Sequence, residues 1–142
     1  MKRTLLALAL LVPAIAHANW HGKDASTIGV DSGKAQLDLT VVTNEDNPTD
    51  EGIALYYYPA AQPKTCDYTT GVFEIFDVNG EKVEFKKFCI NGGKSPVAYT
   101  PSTFQEAGKV IDLLTKEPNV VIQGVAFTTR GFAEQVEVLM GQ

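Results

Sequence analysis

Histidine is almost missing from this 142-residue chain, which has only His17 and His21, and cysteine is as scarce, with Cys66 and Cys89 alone. These two shortages exclude most reactive chemistry. A Ser-His or Cys-His nucleophile needs a histidine positioned by the fold, and His21 stands close to the N-terminus of the mature region. A zinc site built from His and Cys fails on count unless both thiols stay reduced. Asn91-Gly92-Gly93 lacks the glycine spacing of a nucleotide fingerprint and any Lys-Ser/Thr ending, so turn chemistry explains it better. The expectation is a protein that is not an enzyme and that carries no cofactor and no metal.

Basic residues are also few. The chain has 12 Lys and Arg against 17 Asp and Glu, a formal charge of −5. A phosphate-tracking surface needs clustered Lys and Arg, and beyond Lys2-Arg3 at the N-terminus the one close basic pairing is Lys86-Lys87. Nucleic acid is therefore not an expected partner. Long apolar runs are confined to Leu5 through Ile15, short of the roughly 20 residues that span a bilayer. No membrane span is expected.

What is present begins with an export signal. Lys2 and Arg3 precede the apolar run, and Ala16-His17-Ala18 follows it, the three-part pattern of a secretory signal. Residues 1–18 are accordingly read as a signal peptide and 19–142 as a single periplasmic or secreted domain. Removing the signal leaves 142 − 18 = 124 residues, and since Lys2 and Arg3 leave with it the formal charge falls to 10 − 17 = −7. A chain of that size suits one core.

In an oxidising compartment two cysteines most often join. A Cys66–Cys89 bridge is expected, since a redox thiol usually has a close Cys-x-x-Cys partner or a basic neighbour, and neither is evident.

The pattern along the chain is mostly that of strands. Asn19 to Gly33 shows no sustained period, and its start is read as loosely held. KAQLDLTVV alternates Leu37, Leu39 and Val41 with polar residues, as a strand with one buried face does. NEDNPTDEG is acidic and rich in turn formers, and reads as a solvated loop without the ligand pattern of an EF-hand. IALYYYP lacks alternation and reads as a strand covered on both faces. Tyr56 and Tyr58 on one face form a candidate stacking surface for a sugar or peptide. The simpler expectation is that their face is core and Tyr57 alone looks outward.

Asn79-Gly80 predicts a type I′ hairpin that pairs Val78 with Glu81, Asp77 with Lys82, Phe76 with Val83 and Ile75 with Glu84. Past Phe85 the apolar parity changes to Phe88 and Ile90, which predicts a bulge at Lys86-Lys87. INGGKSPVAYTP reads as turn-rich. Ser102 with Gln105, or Thr100 with Pro101, is the expected start of a helix whose stripe is Phe104, Ala107, Ile111 and Leu114 and which Pro118 ends. NVVIQGVAF reads as one strand. A closing helix follows, with Phe132, Val136, Leu139 and Met140 inward and Gly141 as its stop. The expected class is α+β, a β-rich single domain (a sandwich or partly open barrel of about six strands) with two C-terminal helices.

GVFEIFDVNGEKVEFKKFC, the turn at Asn91-Gly92-Gly93, the helix FQEAGKVIDLLTKEPNVVI and FTTRGFAEQVEVL together resemble the small secreted proteins named for invasion-associated locus B. Cys89 and Gly131-Phe132 match features of that family between about Gly71 and Leu139. The family's second cysteine follows closely after the glycine turn, where this chain has Gly93 or Lys94. The resemblance implies a compact β-rich domain with helices, an envelope-associated protein linked to host-cell invasion, and no catalytic residues to carry over. The functional expectation is a binding module, monomeric or weakly associating, for an envelope or secreted protein partner. Its candidate surface comprises Tyr56, Tyr58, Lys94 and Tyr99. The alternatives are a small inhibitor of a hydrolase such as lysozyme, with Lys94 to Tyr99 as the stretch of interest, or a small-ligand carrier using the tyrosines.

Overall fold

The computed structural model describes residues 19–44, 47–63, 66, 72–90 and 96–141. Its elements are β1 (His21–Asp24), β2 (Thr27–Asp31), β3 (Ala35–Asn44), β4 (Asn47–Pro59), β5 (Val72–Val78), β6 (Glu81–Cys89), β7 (Val97–Pro101), α1 (Phe104–Lys116), β8 (Asn119–Ile122), β9 (Val125–Thr128) and α2 (Phe132–Met140). The strands form a single open sheet of nine in the order β1-β2-β3-β4-β7-β6-β5-β8-β9, antiparallel at every pairing. One face of the sheet carries the core. Leu37, Leu39, Leu55, Tyr57, Phe76, Val83 and Phe85 are buried there, beneath Val110 and Leu114 of α1 and Phe132 and Leu139 of α2. The β-rich α+β class with two helices late in the chain is as the sequence predicts, with nine strands in place of about six.

The additional strands come from segments whose local pattern is weak. Asn19 to Gly33 supplies β1 and β2, held by burial of Ile28 and Val30. Most of NEDNPTDEG is strand backbone, because the ladder between β3 and β4 continues to Asn44 and Asn47, and residues 45 and 46 lie outside the described residues. VAYTP is β7, paired along its length with β6. NVVIQGVAF folds into two strands around Gln123-Gly124, with Gln123 at φ 50°. Glutamine is an unusual occupant of that left-handed position, so the turn lacked the Asn-Gly signal.

That second turn grips the first. Asn79 N–H donates to the Val121 carbonyl and Gln123 N–H to that of Asp77. The Asn79 side chain accepts from Val121 N–H at 2.7 Å and donates to the Asn119 carbonyl, while the Gln123 side chain accepts from Asp77 N–H at 2.8 Å. Two amide side chains thus extend a ladder in which Val78 and Ile122 are the paired residues.

The hairpin register at Asn79-Gly80 is the predicted one, and it continues unbroken to Val72↔Lys87. There is no bulge at Lys86-Lys87. The parity changes because Phe88 faces the opposite side of the sheet from Phe85 and finds apolar neighbours there, described below. Helix α1 is capped by Thr103, whose hydroxyl accepts from Glu106 N–H, rather than by Ser102 or Thr100. Ser102 is engaged elsewhere, donating its backbone N–H and its hydroxyl to Glu84 of β6. The inward stripe consequently runs through Val110 and Leu114, and Phe104 is 86 % exposed. The helix ends at Lys116, two residues before Pro118. In α2, Phe132 and Leu139 are buried but Met140 is exposed, since it follows Leu139 round the helix and away from the core.

Cys66 and Cys89 form a disulfide, with Cα atoms 5.7 Å apart. It fastens the end of β6 to the chain ahead of β5. Loop closure over a separation of 23 residues is worth roughly 3 kcal/mol in the chain-entropy account.

The ends of the strand order are drawn together by Trp20. Its backbone N–H donates to the Arg130 carbonyl at 3.0 Å and its indole N–H to the Thr128 carbonyl at 2.9 Å. Its ring meets Phe132 edge-on at 4.8 Å, and the residue is 2 % exposed. Gly131, at φ 85°, lets the chain pass, because a Cβ there would stand 3.1 Å from the Trp20 carbonyl oxygen. The segment that begins at Asn19 is therefore anchored at Trp20 and is not loosely held. Trp20→Ala removes the ring and leaves the Thr128 carbonyl without its indole donor, while the backbone N–H to the Arg130 carbonyl remains, so the expected loss is about 3–5 kcal/mol of unfolding free energy. Guanidinium denaturation measures it, and a loss below about 1 kcal/mol would show that the sheet's ends hold without the clasp.

Candidate functional site

Strand β4 carries its three tyrosines in strict alternation. Tyr57 points into the core, 6 % exposed, with its ring 5.7 Å from Phe76, 6.1 Å from Tyr99 and 6.2 Å from Phe127. Burial, and then the neighbouring Tyr99, push its phenol pKa up. This corrects the expectation that Tyr57 looks outward. A ring at that position fills the space between β5, β7 and β9, and Tyr56 and Tyr58 are left on the outer face.

The outer face is not a plain solvated surface. Tyr56 lies 5.8 Å from Phe88 and 6.4 Å from Tyr58, ring to ring. Phe88 belongs to β6 and Tyr56 to β4, with β7 between them. They meet because β7 presents Ala98 opposite Phe88, a small side chain that is fully buried. Ile90 extends this apolar layer along the rim.

Beside the rings lies an ion pair. Asp38 is 7 % exposed, and its oxygens accept from Lys23 Nζ at 3.0 and 3.1 Å and from Gln36 Nε2 at 3.1 Å each. Lys23 is on β1 and Asp38 on β3, so the pair must reach across β2. Gly29, directly opposite Asp38, makes that crossing open. A Cβ at Gly29 would stand 2.4 Å from Asp38 Oδ1, 2.9 Å from Lys23 Cδ and 3.2 Å from the Leu37 carbonyl oxygen. Thr27 and Thr40 close this end with a 3.0 Å hydroxyl contact.

Lys23, Asp24, Thr27, Asp38, Thr40, Tyr56, Tyr58, Phe88 and Ile90 together line an open cleft of about 460 Å³. A second hollow, of about 490 Å³, adjoins it across Asp38, Tyr58 and Ile90 and reaches Gln36, Lys34 and Pro59. Asp24 turns its carboxylate toward Ser26, and the hydrogen bond from Ser26 N–H holds its pKa below the usual carboxylate value. Tyr58 is pushed up to about 12 by burial, then by Asp38 and by Tyr56, so it remains a neutral phenol at any physiological pH.

This lining fits holding better than reacting. Asp38 has both oxygens committed to an ammonium and an amide, which leaves neither turned to a ligand. Asp24 gives one oxygen to Ser26, Lys23 is paired with Asp38, and most of the remaining lining is phenols, hydroxyls, an amide and hydrocarbon. Among the described residues, no group of three or more His, Cys, Asp and Glu side chains is placed to hold a metal ion, and no helix is long and apolar enough to cross a membrane.

Of the four residues the sequence nominated, the structure brings together Tyr56 and Tyr58. Tyr99 is on the opposite, core-side face, paired with Tyr57 and 5.8 Å from the Lys87 ammonium. Lys94 lies outside the described residues. Sequence reasoning missed Lys23, Gln36, Asp38, Phe88 and Ile90. The available signal was the parity change at Phe88 and Ile90, which marks an outer face turning apolar. In comparisons with known proteins, no family model, curated protein or solved structure matches this chain.

Two tests follow from this geometry. Gly29→Ala places a methyl group against the Asp38 carboxylate and the Leu37 backbone, and is expected to cost about 1–3 kcal/mol of stability by chemical denaturation; an unchanged midpoint would mean that the ion pair has room to shift. Tyr58 supplies a pH signature. Its phenol titrates near 10 when unfolded and near 12 when folded, so between those values the unfolded chain has lost a proton that the native one keeps. Stability present below pH 10 therefore falls as pH rises through that window. Tyr58→Phe should lose less stability than the parent between pH 10 and 12, and equal losses would remove Tyr58 as the cause.

Proposed function

We propose that this protein is an exported, non-enzymatic binding domain of the bacterial envelope, periplasmic or secreted, and that it takes its ligand in the outer-face cleft. The carrying observation is the layer of Tyr56, Tyr58, Phe88 and Ile90 built around the Lys23–Asp38 pair on a face that the core does not need. An antiparallel sheet with one buried face ordinarily turns simple polar alternation to water on the other. Aromatic walls with a few converging polar groups are the usual make-up of a ligand site. The export signal read in residues 1–18 and the disulfide support the compartment. The resemblance to the invasion-associated locus B proteins points to the same class and adds no residue to the cleft. A hydrolase inhibitor presenting Lys94 to Tyr99 draws no support from Val97 to Tyr99, which pair with β6.

Photo-crosslinking in the exporting cell tests this reading. Phe88→p-benzoylphenylalanine places the reactive group in the cleft, and Glu81→p-benzoylphenylalanine places it at the exposed hairpin tip as control. A discrete adduct by intact mass at the first position and none at the second is expected. No adduct at Phe88, or equal labelling at both, would overturn the proposal.

A further inference from the structure

Resting on that binding site, we infer that its ligand is an uncharged saccharide, bound as a short segment of a glycan with its sugar faces against Tyr56, Tyr58 and Phe88.

Electrostatics remove the charged alternatives first. Among the described residues, the one cation lining the first hollow, Lys23, is held by Asp38 at 3.0 Å, so an anionic ligand would have to compete with a carboxylate already in place, and in the second hollow the charge of Lys34 is matched by that of Asp31. A cationic ligand fares no better. Asp38 is shielded by Lys23 and Gln36, Asp24 gives its Oδ1 to Ser26, and Tyr58, with its phenol pKa pushed up to about 12, is neutral at physiological pH. The surface left to a ligand is polar, aromatic and close to neutral.

The shape of the donor set selects further. The Gln36 amide spends its NH₂ on Asp38, which turns its carbonyl oxygen away from the carboxylate as an acceptor. The Lys23 ammonium has three protons, and the carboxylate takes two contacts. The two phenols each donate and accept. Such groups, fixed beside flat apolar rings, match a molecule whose edge is hydroxyl and whose face is C–H. A peptide strand fits less well, since the tyrosines lie where β4 is flanked by β3 on one side and β7 on the other, and β4 offers no open edge at that point. The two adjoining hollows, of about 460 and 490 Å³, meet at Tyr58 and Asp38, so the site has room for more than one ring on either side of that junction.

Isothermal titration and amide chemical-shift mapping of the mature protein test the inference with four probes: chitotetraose, cellotetraose and maltotetraose as neutral saccharides, and tetralysine as a cationic peptide. The expected result is saturable binding of at least one saccharide, with shifts centred on β3, β4 and β6 and affinity changing less than twofold between 50 and 500 mM NaCl. Tyr56→Leu, which keeps apolar volume against Phe88 but loses the ring, should weaken it at least tenfold, while Phe104→Ala, far from the cleft, should not. If Tyr56→Leu unfolds by circular dichroism, Gln36→Leu is the second variant, with the same tenfold loss expected. Absence of saccharide binding at millimolar concentration, or preference for tetralysine with steep salt dependence, overturns the assignment. A Phe88 crosslink obtained alongside such a result would leave the binding function standing and remove only the ligand class; absence of both removes the site.

Discussion

The alternation of Tyr56, Tyr57 and Tyr58 across β4 is the constraint around which both faces of this sheet are arranged. A strand's side chains point to opposite faces in turn, so burying Tyr57 among Phe76, Tyr99 and Phe127 necessarily sends its neighbours outward. A one-residue slip would exchange the two sets and set two phenols in the core. The inward register is fixed by Leu37↔Tyr57 and Leu39↔Leu55. The outer layer is therefore a direct consequence of core packing in β4. Its aromatic content is a property of the sequence that core packing did not require.

The outer layer needs a different kind of support from the core. Among the described residues its lining comes from strands and their ends, not from α1 or α2, and its order comes from cross-strand steric fit. Ala98 is small enough for Phe88 and Tyr56 to meet above β7, and Gly29 is open enough for Asp38 and Lys23 to meet above β2. In both places one strand yields space so that side chains two strands apart make contact. An ion pair in such a setting gives up hydration, which its mutual attraction only partly returns, and the Gln36 amide offsets part of the rest. Elsewhere the charged contacts are of a cheaper kind. Lys109 with the half-buried Glu106, and the exposed Lys116 with Asp112, are helix pairs three and four residues apart, of the sort worth a few tenths of a kcal/mol.

Sequence reading reached the fold where the signal was periodic and local. The Asn79-Gly80 register, the β3 strand, the end of α1 before Pro118 and the Cys66–Cys89 bridge are each dictated by a few adjacent residues or by a count, and each is present. It failed where contacts across the chain decide. Trp20 looked unattached because its partners, Thr128 and Arg130, lie more than a hundred residues on. Gln123 gave no turn signal because its left-handed backbone is held by a bond to Asp77 from another hairpin. The site was half legible. The tyrosines drew attention by composition, whereas Asp38 sat in an alternating strand exactly where a solvent-facing residue belongs, and only the pairing of β1, β2 and β3 reveals that it is buried.

The parity change at Phe88 joins these observations. Read along the chain it is an irregularity in β6, for which a bulge is the economical explanation; seen across the sheet it is the point where β6 stops serving the core and begins to serve the opposite face. Lys87 and Cys89 keep the core-side parity, and the disulfide at Cys89 fastens that side to Cys66, which fixes the direction in which Phe88 must point. The crosslink and the cleft are thus mechanically linked: the covalent bond on one face of β6 holds in register the aromatic ring presented on the other. A rigid strand that presents a ring at low entropic cost suits preorganised recognition, so under the proposed binding function the disulfide would serve the cleft as well as stability.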